Sequence, residues 1–112
     1  MLNRDAILAA NDRRTAVVDV PEWGGSVTIA ELSGKDRDAF EAAFMDESKR
    51  FVNLRARMVA ISVVDEQGNR MFKDEDVEAL GKKSGKALDR VFSAVQKLNA
   101  LSDADIEEIQ GN

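Results

Sequence analysis

Apolar residues recur at helical spacing in the C-terminal third of the chain. From Ser84 onwards they fall three or four positions apart, the pattern of one buried stripe on an α-helix, and they are Ala87, Leu88, Val91, Phe92, Val95 and Leu98. The spacing predicts an amphipathic helix from Ser84 to Leu98 or Asn99, with Asn99 as a C-cap. Phe92 is the predicted core anchor, with Leu88 and Val95 beside it. Such a stripe is most often a core face, and the alternative is a stripe shared between the core and a partner.

Period-two alternation is confined to one window near the N-terminus. Thr15 to Val20 is β-branched and alternating and is stopped by Pro21, and a second run follows over Val27 to Ile29. The pair Gly24-Gly25 between the runs indicates a hairpin or a loose β-pair. Because a two-stranded ribbon is only marginally stable alone, one of its faces must rest on helices. Trp23 lies at the connection, where it either covers that contact or binds a partner, since aromatic residues are enriched at contact hot spots.

Capping residues predict further helices. Short polar side chains in front of an apolar run satisfy the free backbone amides of a first helical turn. The helices predicted in this way are residues 4–10 after Asn3, a helix from Ser33 to about Ser48 with Asp36 at the capping-box position, a short helix from Asp74 through Leu80 closed by Gly81, and a final short helix after Ser102 and Asp105 with Ile106 and Ile109.

The segment from Phe51 to Val64 is ambiguous between helix and strand. Its apolar residues suit a helix that is buried over much of its surface, and helix is favoured because the run exceeds about ten residues without a breaker. Its tail, Ile61 to Val64, would suit a strand nearly as well. The following residues, Asp65 to Asn69, predict a tight turn in which Gly68 or Asn69 adopts a positive φ.

These elements together predict an α+β, mainly helical fold, in which an N-terminal β-pair over about residues 15–30 packs on four to five helices. The apolar fraction of 44% and the charged fraction of 33% are typical of a folded protein rather than a disordered one. A length of 112 residues is sufficient for one domain and its core. We therefore expect residues 1–112 to form a single domain.

Missing residue types narrow the chemistry that is open to this chain. It has no histidine, no cysteine and no tyrosine, so it lacks the commonest general base, thiolate ligands for zinc and a phenolic acid. We therefore expect no enzyme activity. The net charge of −5 disfavours a general affinity for nucleic acid. No apolar run reaches the roughly 18 residues of a transmembrane helix, so we expect no membrane association.

The acidic turn after Val64 invites comparison with a calcium-binding loop. The comparison fails, because counted from Asp65 the glycine is the fourth residue instead of the sixth and the twelfth is Asp76 instead of a glutamate. No glycine-rich phosphate-binding loop is present either. We therefore expect no metal and no cofactor.

A series of short motifs follows in a distinctive order over nearly the full length. The motifs are Val20-Pro21-Glu22-Trp23-Gly24 before a strand, Leu32-Ser33-Gly34 at a helix start, Arg55-Ala56-Arg57-Met58-Val59-Ala60 running into Asp65-Glu66-Gln67-Gly68, then Phe72, Asp76-Val77, Lys83-Ser84, Ala87-Leu88-Asp89-Arg90-Val91-Phe92 and Leu98-Asn99. Each motif alone is only a turn, a cap or an apolar stripe. In their order and spacing, the chain resembles the tail assembly chaperones of long-tailed, siphovirus-like bacteriophages.

The resemblance implies an assembly factor of a phage or prophage. It would act in the cytoplasm of the bacterial host and be absent from the mature virion. The implied client is the tape measure protein, a long helical protein that must be kept from aggregating until the tail tube polymerises around it. A longer form made by a programmed frameshift would recruit the tail tube protein. The resemblance supplies no catalytic residue.

A chaperone of this kind needs apolar surface of its own together with net charge for solubility. Self-association into a homo-oligomer is expected, because neighbouring copies on a long client raise one another's effective concentration. The predicted protein-binding residues are Trp23, Phe92, Leu98 and Leu101.

The competing interpretation is a small adaptor or regulatory module that binds a folded protein or an operator. Such a module would present a basic recognition face. The strongest basic cluster, Lys82, Lys83 and Lys86, lies beside acidic neighbours. The chaperone interpretation is therefore favoured.

Overall fold

The computed structural model describes residues 1–100 and shows an α+β, mainly helical fold, which confirms the predicted fold class. Two short 3₁₀ turns, Pro21–Trp23 and Asp74–Asp76, accompany the regular elements. The helices are α1 (Arg4–Ala9), α2 (Gly34–Met45), α3 (Leu54–Ser62), α4 (Val77–Gly81) and α5 (Gly85–Ala100), and the strands are β1 (Thr15–Val20), β2 (Gly25–Ala30) and β3 (Val63–Val64).

The predicted β-pair is confirmed. Strands β1 and β2 pair antiparallel, with Thr15 opposite Ala30 and Val20 opposite Gly25. Pro21 ends β1 and begins the 3₁₀ turn that connects the two strands. Gly24 follows this turn with a φ of 75°, a left-handed conformation that glycine adopts without steric cost. The sequence Pro-Glu-Trp-Gly therefore fixes the reversal between the strands.

The helix predicted over Phe51 to Val64 is wrong at both ends. It begins only at Leu54, after Asn53 in a left-handed conformation with a φ of 50°, and it ends at Ser62. Val63 and Val64 instead form β3, which pairs antiparallel with β2 and adds a third strand to the sheet. Both valines are buried, and β-branched side chains pack well on a pleated surface whose backbone groups are paired across the sheet.

The predicted turn after β3 is confirmed. Gly68 has a φ of 84°, and the carboxylate of Asp65 accepts hydrogen bonds from the backbone amides of Gln67 and Asn69 at 2.9 and 3.0 Å. The chain then returns beside β3, since Arg70 forms a β-bridge with Val64. The carboxylate of Asp65 therefore organises the backbone of this turn.

The predicted N-caps Asn3 and Ser33 are confirmed, and the structure shows a third at Ser84, where the sequence predicted the start of α5. The side-chain oxygens of Asn3, Ser33 and Ser84 accept hydrogen bonds from the backbone amides three residues later, at 2.9, 3.1 and 3.3 Å. Such caps satisfy amides that have no partner inside the helix. α2 is shorter than predicted, because it ends at Met45 rather than near Ser48.

Two predicted caps are wrong. Asp74 begins a 3₁₀ turn, and it is the carboxylate of Asp76 that accepts from the amide of Lys73 at 2.8 Å. Asn99 is not a C-cap, because α5 continues to Ala100. The last helix, predicted after Ser102, lies outside the described residues.

The core lies between one face of the sheet and helices α3 and α5. Its centre consists of fully buried aliphatic side chains from all three strands and from α3 and α5. The predicted stripe on α5 is confirmed as a core face, although Phe92 and Leu98 are only partly buried at its margin. The central anchors of the core are therefore Val91 and Val95, packed with Val20, Ile29, Val59 and Val63, rather than Phe92.

Candidate protein-binding surface

An apolar patch lies exposed where α2 ends and the chain turns towards α3. It consists of Phe44, Met45, Phe51 and Val52, whose exposed fractions are 42%, 79%, 72% and 59%. The rings of Phe44 and Phe51 meet edge to face, with centroids 6.0 Å apart and planes at 83°. Large apolar side chains that are grouped on a surface mark interaction sites more often than scattered ones do. We refer to these four residues as the apolar patch.

The turn that carries this patch is held by polar contacts. Asp46 accepts hydrogen bonds from the amide and the hydroxyl of Ser48 at 3.0 and 2.7 Å, and these bonds lower the pKa of the Asp46 carboxyl. Arg57 donates to the backbone oxygens of Lys49 and Arg50 at 3.1 and 3.0 Å. The Arg50 guanidinium lies 5.3 Å from the centroid of the Phe44 ring. The apolar patch is therefore presented on a hydrogen-bonded scaffold.

An apolar groove of about 380 Å³ continues from the patch between α2 and α5. Its apolar lining is Leu32, Phe40, Phe44, Met58 and Val95, and Phe44 belongs to both the groove and the patch. The groove's polar lining is Arg37, Glu41, Gln96 and Asn99. We call it the α2–α5 groove, and with the patch it forms one continuous apolar surface.

Asn99 joins the two sides of the α2–α5 groove. Its side-chain oxygen accepts from the amide of Leu32 at 2.8 Å, and its side-chain nitrogen donates to the carbonyl of Val95 at 2.8 Å. These bonds tie the segment before α2 to the last turns of α5. The sequence had predicted Asn99 as a helix cap. In the structure it positions the groove instead.

A second groove, of about 300 Å³, lies on the side of α2 that faces α3 and α4. We call it the α2–α3 groove. Its lining combines apolar side chains with two carboxylates and one guanidinium, and the residues are Ala39, Phe40, Ala43, Ile61, Val77, Asp36, Asp74 and Arg57. The Nε of Arg57 is buried and has no hydrogen-bond partner among the described residues.

The residues predicted to bind a partner lie elsewhere. Trp23, Phe92 and Leu98 are partly buried and pack against the core, and none of them lines the patch or either groove. The guanidinium of Arg55 lies 5.6 Å from the centroid of the Phe92 ring. Leu101 lies outside the described residues. A protein-binding role for these four residues stays a prediction.

Sequence reasoning missed the apolar patch, although the chain carries a signal for it. The polar run Asp46 to Arg50 separates two adjacent apolar pairs, Phe44-Met45 and Phe51-Val52. A polar run of this kind is a poor continuation of a buried helix, so it marks a turn with apolar residues at both ends. The patch is that pair of ends, brought together by the turn.

The carboxylates with a lowered pKa serve structural contacts. The hydrogen bond from Arg90 lowers the pKa of Glu22 and links the β1–β2 connection to α5 at 2.9 Å. The hydrogen bond from Arg14 lowers the pKa of Glu31 and links the entry of β1 to the exit of β2 at 2.7 Å. Within residues 1–100, no cluster of three or more acidic side chains could hold a metal ion. None of the helices in that range is long and apolar enough to cross a bilayer.

The fold and the surface define a class of protein: a small α+β module whose most prominent described feature is ordered, exposed apolar surface. The family model described as phage tail assembly chaperone matches residues 3–111. The chain therefore belongs to the phage tail assembly chaperone family, which confirms the resemblance seen in the sequence.

A solved structure shares this fold. The tail assembly chaperone of bacteriophage HK97 superposes with a TM-score of 0.65 at 19% sequence identity, covering 88% of this chain and 95% of that chain. Because the identity is low, this likeness shows a common fold. No curated protein sequence matches the chain significantly.

Proposed function

We propose that this protein binds the tape measure protein of its phage through the apolar patch and the α2–α5 groove. It keeps that client soluble until the tail tube polymerises around it. The observation that carries the proposal is the continuous apolar surface that Phe44 forms with the patch and the groove. Membership of the tail assembly chaperone family supports the same function.

The client chemistry that fits this surface is one apolar face of an α-helix. An amphipathic helix binds by laying its apolar side chains into a hydrophobic groove. Phe51 alone exposes 72% of its surface, so covering it removes on the order of 100 Å² of apolar area, about 2–3 kcal/mol before the costs of association. The net charge of −5 keeps the complex in solution.

Several further features belong to the proposal. Residues 1–112 act as one domain that performs no chemistry and needs no cofactor. The protein works in the cytoplasm of the bacterial host and is absent from the mature virion. Copies associate along the client, because each bound copy raises the effective concentration of the next. A longer form made by frameshifting adds contacts with the tail tube protein.

Co-expression with the tape measure protein tests this function. The client should be largely insoluble alone and soluble with this chain, and the two should co-purify. Because the contact is apolar, the complex should persist at roughly 0.5 M salt, where surface charges are screened within about 4–5 Å. A client that is equally soluble alone, or a complex that dissociates in salt, would contradict the proposal.

A further inference from the structure

The first nine residues form an arm whose apolar side chains lack a core to enter. Leu2, Ile7 and Leu8 are 74%, 57% and 68% exposed, and α1 contains no buried residue. A helix of six residues has little stability of its own, since isolated helices shorter than about 12 residues are marginal in water. The arm, residues 1–9, therefore has the character of a segment that is stabilised by docking.

The α2–α3 groove provides a site that matches this arm. Its apolar lining, which we call the groove floor, is Ala39, Phe40, Ala43, Ile61 and Val77. The two small alanine side chains leave room for branched aliphatic residues such as Ile7 and Leu8. The arm does not line this groove in its own chain.

The charges of the arm and the groove are complementary. The groove presents the carboxylates of Asp36 and Asp74 and the guanidinium of Arg57, with Asp74 also paired with Arg70 at 3.0 Å, and the arm carries Arg4 and Asp5. Those two arm residues pair only with each other in the described chain, at 2.8 Å, with side chains that are 80% and 87% exposed. Exposed ion pairs of this kind contribute little to stability, so the side chains of Arg4 and Asp5 are available to stronger partners. Arg57 contributes a cation to the groove lining, and its Nη2 is held in place by the backbone oxygens of Lys49 and Arg50.

We propose that the arm of one copy docks in the α2–α3 groove of a second copy of this chain. Ile7 and Leu8 cover the groove floor, Arg4 faces the two carboxylates, and Asp5 faces Arg57. This inference rests on the proposed function, since it names the contact by which copies line up on the client. Each copy offers one arm and one groove, so the contact is head-to-tail, a geometry that can be repeated from copy to copy along a long client.

The arm and groove variants can be made without disturbing the core. Ile7→Asp with Leu8→Asp changes only exposed side chains, with Asn11→Asp as a control that adds acid beside the helix. Ala43→Arg fills the groove, and Ala42→Arg is its matched control, because Ala42 is exposed on the same helix and lines neither groove. Arginine is a good helix former at both positions. Circular dichroism verifies the fold of each variant.

Sedimentation equilibrium of the purified full chain measures the contact. The unmodified chain and both controls should associate as concentration rises, while the arm variant and the groove variant should each show at least a tenfold weaker association. A mixture of the arm variant, which keeps its groove, with the groove variant, which keeps its arm, should form a one-to-one dimer. An unmodified chain that stays monomeric, variants that associate like it, or a mixture without a dimer would overturn the proposal.

Client solubility separates this inference from the proposed function. The arm variant should still keep the tape measure protein soluble when it is supplied in excess, because the patch and the α2–α5 groove are unchanged. If Ala43→Arg instead abolishes client binding and leaves association intact, the groove belongs to the client and the arm proposal is wrong. If no form of the chain binds the client, the proposed function fails while the sedimentation result stands by itself.

Discussion

Truncating Val91 probes the centre of the core. Val91 is fully buried within the cluster that joins α5 to the sheet and α3. Val91→Ala removes two methyl groups from this site. At about 0.8 kcal/mol per buried carbon, the transfer loss is about 1.6 kcal/mol, and the cavity left behind raises it to about 2–3 kcal/mol.

Helix propensity offsets part of that loss. Alanine is a better helix former than valine by roughly 0.5 kcal/mol, so the net decrease in the free energy of unfolding is about 1.5–2.5 kcal/mol. Urea unfolding followed by circular dichroism measures this decrease as a lower midpoint with an unchanged slope.

The matched control is Val52→Ala, the same truncation at a side chain that is 59% exposed in the apolar patch. It should change the stability by no more than about 0.5 kcal/mol. A Val91→Ala variant within that same margin would show that the core is not centred on α5, and a large loss for Val52→Ala would show that the patch is part of the core.

Three further perturbations test other contacts. Asn99→Ala leaves the amide of Leu32 unpaired and should destabilise the chain by about 1–3 kcal/mol in urea unfolding; a neutral result would contradict its tethering role. Phe92→Ala should cost less than the 3–5 kcal/mol of a fully buried phenylalanine, because the ring is partly exposed; a loss in the full range would restore Phe92 as the core anchor. The hydrogen bond from Arg14 holds the pKa of Glu31 below its ordinary value of 4.5, so its contribution is present above pH 4.5 and is lost as pH falls through the lower folded value. Glu31→Gln should therefore lower the melting temperature at pH 7 but make little difference well below pH 4.5, and a deficit that is independent of pH would refute the ionic account.

The sequence predicted those elements whose signals are local. The α5 stripe and the β1–β2 hairpin each depend on the spacing of neighbouring residues and on a cap or turn within a few positions. Gly24 and Gly68 both have a positive φ, and both belong to connections that the sequence predicted. For these segments, local pattern and tertiary packing favour the same conformation.

The elements that were missed depend on distant partners. Val63 and Val64 become a strand because β2, more than thirty residues earlier, supplies their hydrogen bonds. From the sequence alone, Asn99 is a reasonable helix cap. Its actual partner, the amide of Leu32, is brought close to it only by the fold.

The candidate site was missed for the same kind of reason. Phenylalanine is a residue type typical of a core. Phe44 and Phe51 are exposed because Asp46 and Arg57 hold the turn between them. A pattern of hydrophobic residues does not distinguish a side chain that enters the core from one that an ordered turn holds outside it.

The most direct test of the account is the soluble fraction of the tape measure protein with variants of the apolar patch. Phe51→Ser and Val52→Ser remove exposed apolar groups from the patch, and Val17→Ser is the matched control, because Val17 is 71% exposed on β1. All three variants should fold with nearly unmodified stability. Co-expressed with the Val17→Ser variant, the client should be as soluble after centrifugation as with the unmodified chain. Co-expressed with the variant that combines Phe51→Ser and Val52→Ser, most of the client should be in the pellet. Equal soluble fractions for the patch variant and the control would contradict the claim that this surface binds the client.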